Sequence, residues 1–406
     1  MKRLFVNFMT FAVMATALTL TACSSDSDGD GDGNGDGGNN GGTGSSIVVG
    51  ENILSGTLTG EQTLEAKEYI LNGTVVIENG GRLNIPAGTT IKAREGFSSY
   101  LLVAQGGKLY ADGTADKPIV FTANSTTPTS GYWGGIIING KAPISGSNAN
   151  KSDTGLTEID NNYKYGGNVD NDNSGSLTYV KICYAGARST ADIEHNGLTL
   201  NGVGNGTKIE NIYILESADD AVEFFGGTVN VDHCVVVDCT DDSFDWTEGW
   251  SGTATNLVAY QTDASCDCLI EADNNGDNFD ATPVAHPTLR NLYLVGNGSS
   301  ENKRGIRLRA GTRANIDGAK VAGKPNPLTI ETTQTDDALA NGTSVLKNVQ
   351  IAGVLKNDVT GGKYLSANFL TGQGNAENAQ IATTWDDVAG DLSFAWLNDA
   401  WVTAVQ

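Results

Sequence analysis

Four charged side chains recur at one position of a repeated motif, and their chemical types suit a site that handles sugars or cations. Residues 219–224 match residues 241–246 at an offset of twenty-two, and two shorter copies follow at 270–272 and 306–308. Carboxylates accept hydrogen bonds from hydroxyl groups, coordinate calcium, or act as general acids and bases, whereas an arginine neutralises negative charge. We therefore take the aligned charged residues as the candidate site: Glu223, Asp245, Glu271 and Arg307.

The residues beside this row indicate which way it points. Side chains alternate along a strand, so the apolar neighbours Val222 and Phe224 predict that Glu223 faces outward. Stacked strands lie about 4.8 Å apart, and like charges at that spacing repel. Either the row is a solvated face, or Arg307, Arg309, a cation or raised carboxyl pKa values offset the repulsion.

Further residues are expected around the row. Trp250 would form an exposed aromatic rim for a sugar. The insertion 273–280 would flank the row, with Asp273 and Asp277 as candidate calcium ligands. The two acidic pairs that precede the row are interpreted as Asx turns and not as catalytic dyads. These pairs are Asp219–Asp220 and Asp241–Asp242.

The repeat itself predicts the fold. A unit of strand, turn and strand, without helical periodicity, is typical of one coil of a parallel β-solenoid, which buries its apolar side chains only by stacking. The alignment predicts two interior columns. One contains Ile212, Cys234, Leu257 and Leu292, and the other contains Ile214, Val236, Ala259 and Leu294.

A second repeat, at an offset of twenty-six, extends the solenoid towards the N-terminus: residues 77–83 match residues 103–109, each with a Gly-Gly turn. Residues 141–174 interrupt the pattern and are predicted to form a long loop. We assign the β-helix to residues 47–380 and a C-terminal cap over the last coil to residues 381–406. The prediction of a cap is based on six apolar residues within this segment: Trp385, Leu392, Phe394, Trp396, Leu397 and Trp401.

Composition agrees with a turn-rich β protein and excludes one class of partner. The 406 residues include 52 glycines and 8 prolines, and the net charge is −23. No basic stripe exists to displace phosphate counterions, which argues against DNA or RNA and leaves cations, neutral glycans and proteins as candidates.

The N-terminus has the features of a processed leader. Lys2 and Arg3 precede an apolar stretch, and residues 20–23 (Leu-Thr-Ala-Cys) resemble the lipobox of bacterial lipoproteins. The resemblance implies a signal peptide at 1–22, lipid on Cys23 and anchoring in the outer membrane. Residues 23–46, rich in Asp, Gly and Ser, are predicted to be a disordered linker whose acidic residues resemble a surface-export signal.

Cysteines and histidines give little sign of a metal or redox site. Beyond Cys23, five cysteines remain: Cys183, Cys234, Cys239, Cys266 and Cys268. Their pairing stays open, with Cys239 and Cys266 near enough in the alignment to bridge. We interpret His233 as a strand-end residue that replaces the asparagine of other coils, and His195 and His286 as loop residues.

Together, the lipobox, the Gly-Gly coils and the Asp-Asp motifs at 218–222 and 240–244 resemble right-handed parallel β-helix lipoproteins of the pectin-lyase-like superfamily over roughly residues 50–380. The resemblance implies an all-β, right-handed parallel β-helix. That superfamily includes polysaccharide lyases and hydrolases, but the Gly-His-Gly and Arg-x-Lys elements of polygalacturonase-type hydrolases do not occur in this sequence.

These observations lead to three functional hypotheses. The first is a surface-exposed, lipid-anchored protein that binds a glycan or a partner protein along one sheet face, with calcium as a candidate cofactor. The second is a polysaccharide lyase or glycoside hydrolase that uses the same face, with Glu223, Asp245 or Glu271 as acid or base. The third is a structural adhesin stalk. The sequence does not choose between catalysis and binding, nor does it indicate an oligomeric state.

Overall fold

The structure is a computed structural model and describes residues 46–145, 154–190 and 193–403. The predicted signal peptide, Cys23 and all of the linker except residue 46 lie outside the described residues. Within them, strands dominate and helices are short, which confirms the prediction of an all-β protein.

The strands of the N-terminal coils precede the interrupting segment. They are β1 (Val48–Val49), β2 (Ile53–Leu58), β3 (Glu61–Thr63), β4 (Glu68–Ile77), β5 (Arg82–Pro86), β6 (Thr90–Ala93), β7 (Gly96–Val103), β8 (Lys108–Asp112), β9 (Ile119–Ala123) and β10 (Trp133–Asn139).

The interrupting segment contributes a hairpin, β11 (Gly155–Leu156) and β12 (Lys164–Tyr165), and the coils then resume. The central strands are β13 (Gly175–Cys183), β14 (Arg188–Thr190), β15 (Ile193–Glu194), β16 (Leu198–Asn201), β17 (Lys208–Leu215), β18 (Val222–Phe225), β19 (Asn230–Val237), β20 (Phe244–Thr247), β21 (Thr253–Tyr260) and β22 (Ile270–Ala272). The last strands are β23 (Thr288–Val295), β24 (Arg304–Leu308), β25 (Asn315–Ala322), β26 (Asn326–Ile330), β27 (Leu346–Ile351) and β28 (Lys356–Asn357).

Twenty-four of these strands form one hydrogen-bonded array in which all pairs except β1–β2 are parallel. The long strands bend, so the array wraps into three sheets around a common core. Sheet 1 stacks β7, β10, β16, β18, β20, β22, β24, β26 and β28. Sheet 2 stacks β3, β5 and β8 on the first halves of the long strands β13, β17, β19, β21, β23, β25 and β27, and sheet 3 stacks β6 and β9 on their second halves.

A left-handed residue makes the bend between sheets 2 and 3. Asn211, His233, Asn256 and Asn291 occupy this position in successive coils, with φ between 55° and 57°. Asparagine and histidine tolerate this conformation better than most residues. The Asn291 side chain donates to Asn256 at 2.6 Å, and Asn256 lies 3.4 Å from the ring nitrogen Nδ1 of His233. His233 therefore replaces an asparagine in a stacked column, as predicted.

Both predicted interior columns are confirmed. Ile212 pairs with Cys234, Cys234 with Leu257 and Leu257 with Leu292, and the second column follows two residues later in the same strands. The twenty-six-residue repeat is also in register, since Ile77 pairs with Val103 and Leu83 with Leu109. Its Gly-Gly turns are required by close packing, because a Cβ on Gly107 would lie 2.3 Å from a backbone oxygen of the coil below.

The predicted position of the C-terminal cap is wrong. The tail contains α3 (Trp385–Gly390), a 3-10 helix (Leu392–Asn398) and α4 (Ala400–Thr403), and it packs along the outer face of sheet 3. The outward row of that sheet is largely apolar where the tail covers it. The row contains Tyr213, Val235, Val258 and Tyr293, and it ends at Lys181 and Lys320. Burial of this lateral row, rather than of the last coil, accounts for the density of aromatic residues in the tail.

A different segment covers the last coil. After α1 (Thr333–Ala340), the chain passes through β28 and α2 (Ser366–Phe369), and Phe369 is fully buried in the main core with Tyr364 and Leu355. Ala376 makes an isolated parallel bridge with Gln350 of β27.

Two further observations concern membrane-spanning helices and the state of the cysteines. In the part of the chain that the structure describes, no helix combines the length and apolar character that a membrane crossing needs. All five cysteines there carry free thiols and are buried, so the suggested bridge between Cys239 and Cys266 does not form.

Candidate functional site

The predicted row of charged residues is present on the outer face of sheet 1. Glu223 pairs with Asp245, Asp245 with Glu271 and Glu271 with Arg307 in consecutive parallel strands. Their neighbours in these strands are buried, whereas the charged residues are only partly buried. The alternation that orients the row is therefore confirmed, and whether the row binds a ligand stays a prediction.

The acidic pairs beside the row belong to the same surface, contrary to their interpretation as Asx turns. The Asp220 carboxylate accepts the backbone N–H of Asp242 at 2.9 Å, and the Asp242 carboxylate accepts that of Cys268 at 2.6 Å. These hydrogen bonds run from each coil to the next. Such carboxylates hold neighbouring coils together, and they line the site as well.

Together these residues line a cleft of about 370 Å³. The lining consists of ten carboxylates, Asn196 and Arg307; the carboxylates belong to Glu158, Glu194, Asp219, Asp220, Glu223, Asp241, Asp242, Asp245, Asp267 and Glu271. Because stacked coils place equivalent residues side by side, four repeats and the segment near the hairpin contribute to one strongly acidic surface.

Among the described residues, the arginines that pair with carboxylates of the cleft are Arg188, Arg307 and Arg309. At one end, Arg188 contacts Glu194 and Asp219, each at 3.2 Å. At the other, Arg307 pairs with Glu271 at 2.5 Å. Arg307 also contacts Glu331 at 3.0 Å, so its guanidinium is shared between two carboxylates and is not a free neutralising group.

The centre of the cleft contrasts with its ends. Among the described residues, no ion pair reaches Asp220, Glu223 or Asp245; Glu223 accepts a hydrogen bond from the Asn196 amide at 2.7 Å. Burial raises the pKa of all three carboxyl groups well above the ordinary range, and repulsion from neighbouring carboxylates raises it further. The centre therefore favours either bound protons or a bound cation.

The donor set in the centre fits a hard cation. One oxygen from each of Asp220, Glu223 and Asp245 lies within 4.8 Å of the others, and a second such group contains Asp242, Asp245 and Glu271. Within the described parts of the chain, Asp245 Oδ1 is buried and has no hydrogen-bond partner. Calcium binds carboxylate oxygens in flexible geometries, so Asp220, Glu223 and Asp245 could hold it.

Three other predicted site residues lie elsewhere. Trp250 is fully buried, stacks on Phe224 at 3.9 Å between ring centroids and donates its indole N–H to a backbone oxygen, so the exposed aromatic rim is wrong. Asp273 is buried against Arg309 at 2.6 Å. Asp277 is exposed and does not line the cleft. Their expected role as calcium ligands has no support in this placement, because Arg309 already neutralises Asp273.

A second cavity adjoins the cleft and was not anticipated from the sequence. It has a volume of about 250 Å³ and lies beneath the hairpin segment, residues 155–165. Its lining is mixed: Ile137, Leu156, Thr157, Glu158, Ile159, Tyr165, Glu194, Asn196, Thr199, Asn201, Phe225 and Glu248. Tyrosines 163 and 165, inside a segment otherwise rich in Asn, Asp and Gly, were the available signal for a packed hairpin.

His195 lies in the loop between β15 and β16, as predicted, but the structure shows that its side chain is buried. Its ring is buried between Phe97 and Tyr100, and Nε2 lies 2.9 Å from the Phe97 backbone oxygen. Burial lowers the pKa of His195 to about 4, so the imidazole is neutral at physiological pH. This packing fixes the backbone of Asn196, which lines both cavities.

The fold and the cleft define the class of protein: a right-handed parallel β-helix with a polar, acidic groove along the outside of one sheet. The chain belongs to the family described as the pectate-lyase like beta helix domain, whose model matches residues 56–401. Neither a curated protein nor a solved structure matches the chain. The family establishes the fold and is compatible with either a glycan-related role or an enzyme.

Proposed function

We propose that the acidic cleft binds a neutral glycan along the outer face of sheet 1. The observation that carries the proposal is the continuous lining of carboxylates from successive coils, which forms a groove of about 370 Å³. Ionised carboxylates only accept hydrogen bonds, and sugar hydroxyls donate them. An anionic polymer would be repelled by the cleft, and the net charge of −23 adds to that repulsion.

Calcium is the cation that we propose for the centre of the cleft. Asp220, Glu223 and Asp245 supply clustered oxygens without a cationic partner among the described residues. A bound divalent ion would offset their repulsion and would offer open coordination positions to sugar hydroxyls. Glycan binding should then weaken when calcium is chelated.

The test is a charge-removing triple variant: Glu223→Gln, Asp245→Asn and Glu271→Gln. The purified protein is screened on a glycan array with calcium or with a chelator, and calcium binding is measured by calorimetry. We expect the variant to lose glycan binding by at least about tenfold, equivalent to about 1.4 kcal/mol, and to lose calcium binding.

The matched control removes equal charge from another sheet. Glu210, Asp232 and Asp317 lie on one outward row of sheet 2, and their amide variants should leave binding unchanged. If the cleft variant keeps full glycan binding, the row is a solvated face. A partner-protein or stalk role would then replace the proposal.

Catalysis is the second candidate, and the raised carboxyl pKa values favour it. A glycosidase needs one carboxyl group with a raised pKa as its general acid, and burial raises the pKa of Glu223 and Asp245. A reducing-end assay on every glycan that binds separates the two functions. New reducing ends that disappear in the triple variant would establish an enzyme; binding without them would establish a lectin-like role.

The place of action is also proposed. The lipobox-like residues 20–23 support lipid attachment at Cys23, and the linker 23–46 supports display of the β-helix at the outer membrane surface. A glycan-binding groove on a lipid-anchored protein would meet its ligand outside the cell.

A further inference from the structure

The outward row of sheet 1 changes character along the β-helix axis. Before Glu223 the row contains Thr199, then Ile137, Leu102 and Val76, each paired with the next in parallel strands. The row is thus apolar in the N-terminal coils, hydroxylated at one coil, and acidic in the centre. A ligand that follows the row would move from charged acceptors onto an apolar floor.

The hairpin closes the groove over that apolar floor. Its residues Ile159 and Tyr163 pack against Leu102 and Ile137, in a cluster that also contains Val76 and Tyr100. The Tyr163 hydroxyl lies 3.2 Å from the Glu78 carboxylate. The acidic cleft therefore ends at the hairpin, while its opposite end runs on towards Arg307.

The second cavity occupies the closed end of the groove. It shares Glu158, Glu194 and Asn196 with the acidic cleft, so the two spaces adjoin. Its apolar side comes from Ile137 on the floor, Phe225 on the neighbouring row, and three hairpin residues: Leu156, Ile159 and Tyr165. A volume of about 250 Å³ is below the range of about 300–1,000 Å³ found for drug-sized ligands, and suits a single ring.

One of the residues that line this cavity has a buried acceptor without a partner. Asn201 is 2% exposed; its amide nitrogen donates to Asn139 at 2.9 Å, and Asn139 donates to Thr157 of the hairpin at 2.7 Å. Among the described residues nothing donates to Asn201 Oδ1. A buried acceptor without a donor is costly, so a hydroxyl group of a ligand would stabilise it.

Two other polar side chains that line the cavity are already hydrogen-bonded to each other. The Tyr165 hydroxyl donates to the Glu248 carboxylate at 2.9 Å, and the Tyr165 and Phe225 rings lie 6.3 Å apart. Glu248 is 5% exposed and retains a second carboxylate oxygen for a donor. Apolar ring faces beside a few fixed polar atoms are the usual composition of a small-ligand pocket.

We infer that this cavity holds the terminal residue of the glycan, so that the protein recognises chain ends rather than the interior of a polymer. The inference rests on the proposed function, since it concerns the same groove. One face of the sugar ring packs on Phe225 and Ile137, a hydroxyl donates to Asn201 Oδ1, and the hairpin stops the chain from continuing. The remaining residues of the glycan extend into the acidic cleft.

The decisive experiment compares short and long chains on the unaltered protein. The probes are cello-, malto-, xylo- and chitooligosaccharides with six residues, and the corresponding long polysaccharides, with affinity measured per molecule. If a chain end is bound, the hexasaccharide and the polymer have equal affinity per molecule. If interior residues are bound, affinity per molecule rises with chain length, and the inference is overturned.

Blocking the ends of the oligosaccharide probes provides a second test with the same unaltered protein. Each hexasaccharide is capped either by reduction at its reducing end or by a bulky ether at its non-reducing end. One of the two caps should weaken binding by at least about tenfold. Full binding of both capped probes contradicts recognition of a chain end.

Variants then assign the effect to the cavity. Phe225→Ala and Asn201→Leu should each weaken hexasaccharide binding by about tenfold, whereas Thr247→Ala, at the position next to Phe225 on the same row, should not. Thermal melting verifies that each variant is folded. Unchanged affinity in folded Phe225→Ala, with binding lost in the acidic triple variant, overturns the inference and leaves the proposed function standing. Binding of none of these oligosaccharides or polysaccharides overturns both.

Discussion

Glu248 shows how a single residue acquires unusual chemistry from its position. It follows β20 in a left-handed conformation, with φ of 51°, which turns its side chain beneath the hairpin. Burial raises the pKa of Glu248 to about 7, an effect that the hydrogen bond from Tyr165 partly opposes. The carboxyl group therefore changes charge near neutral pH, inside the cavity that adjoins the acidic cleft.

The folded-state pKa of Glu248 predicts a pH-dependent effect of the substitution Glu248→Gln. The unfolded chain loses this proton near its ordinary pKa of 4.5 and the folded protein only near 7, so Glu248 reduces stability progressively as pH rises between these values. The variant should gain stability relative to the natural protein across that window, by up to about 3 kcal/mol, and the difference should be constant at higher pH.

Urea titrations at several pH values between 4 and 8 measure this difference. Glu301→Gln is the control, because Glu301 is exposed and its substitution should change stability by less than about 0.5 kcal/mol at any pH. A stability difference for Glu248→Gln that does not vary with pH would contradict the buried, protonated state.

At the scale of elements, the C-terminal tail stabilises the β-helix from outside. Its contacts fix its course along sheet 3: Tyr293 donates to the Ala382 backbone oxygen at 2.9 Å, Lys320 pairs with Asp391 at 2.5 Å, and Lys181 lies 3.5 Å from the Val402 oxygen. Burial beneath the tail lowers the pKa of Lys181 to about 8. The tail therefore joins coils that are distant along the chain.

Truncating the most buried aromatic residue of the tail tests this role. Trp401 is 1% exposed, and its ring contacts Tyr179 and Trp396. Trp401→Ala should reduce the free energy of unfolding by about 3–5 kcal/mol. Leu392→Ala is the matched control, since Leu392 is 93% exposed and its loss should cost less than about 0.5 kcal/mol. Equal effects of the two substitutions in urea titrations would show that the tail is not packed on sheet 3.

At the scale of the whole molecule, the coils place one groove on one side and a covered face on another. Sheet 1 carries the acidic cleft on its outer face, and sheet 3 carries the tail on its own. The rows that make both surfaces run along the same axis, because each coil adds one residue to every row. A glycan in the groove would therefore contact several coils at once.

The anchoring of the molecule is tested by the substitution Cys23→Ser. If residues 20–23 direct lipid attachment, the variant should move from the membrane fraction to the soluble fraction and should no longer incorporate labelled palmitate. Ser24→Ala, at the next residue, should leave both properties unchanged. A Cys23→Ser protein that remains in the membrane fraction and carries lipid would reject the assignment.

The sequence alone determined the solenoid, its register and the direction of each strand residue. Repeats at fixed offsets specify which residues stack, as the pairing of Glu223 with Asp245 shows, and the two-residue period specifies which ones face the core, as Phe224 and Trp246 show. Both signals are local in the chain or strictly periodic, so they can be recognised from the sequence alone.

Only the tertiary structure decided what lies beside each row. The carboxylates of Asp220 and Asp242 line the cleft and accept hydrogen bonds from the backbone of the next coil. Trp250 is buried in the core, and the tail lies on sheet 3 instead of over the last coil. The cavity at Asn201 exists because a hairpin, inserted more than thirty residues earlier, folds over that coil. These contacts join segments without any common period, and the path of the connecting turns and loops, which no repeat encodes, sets where they meet.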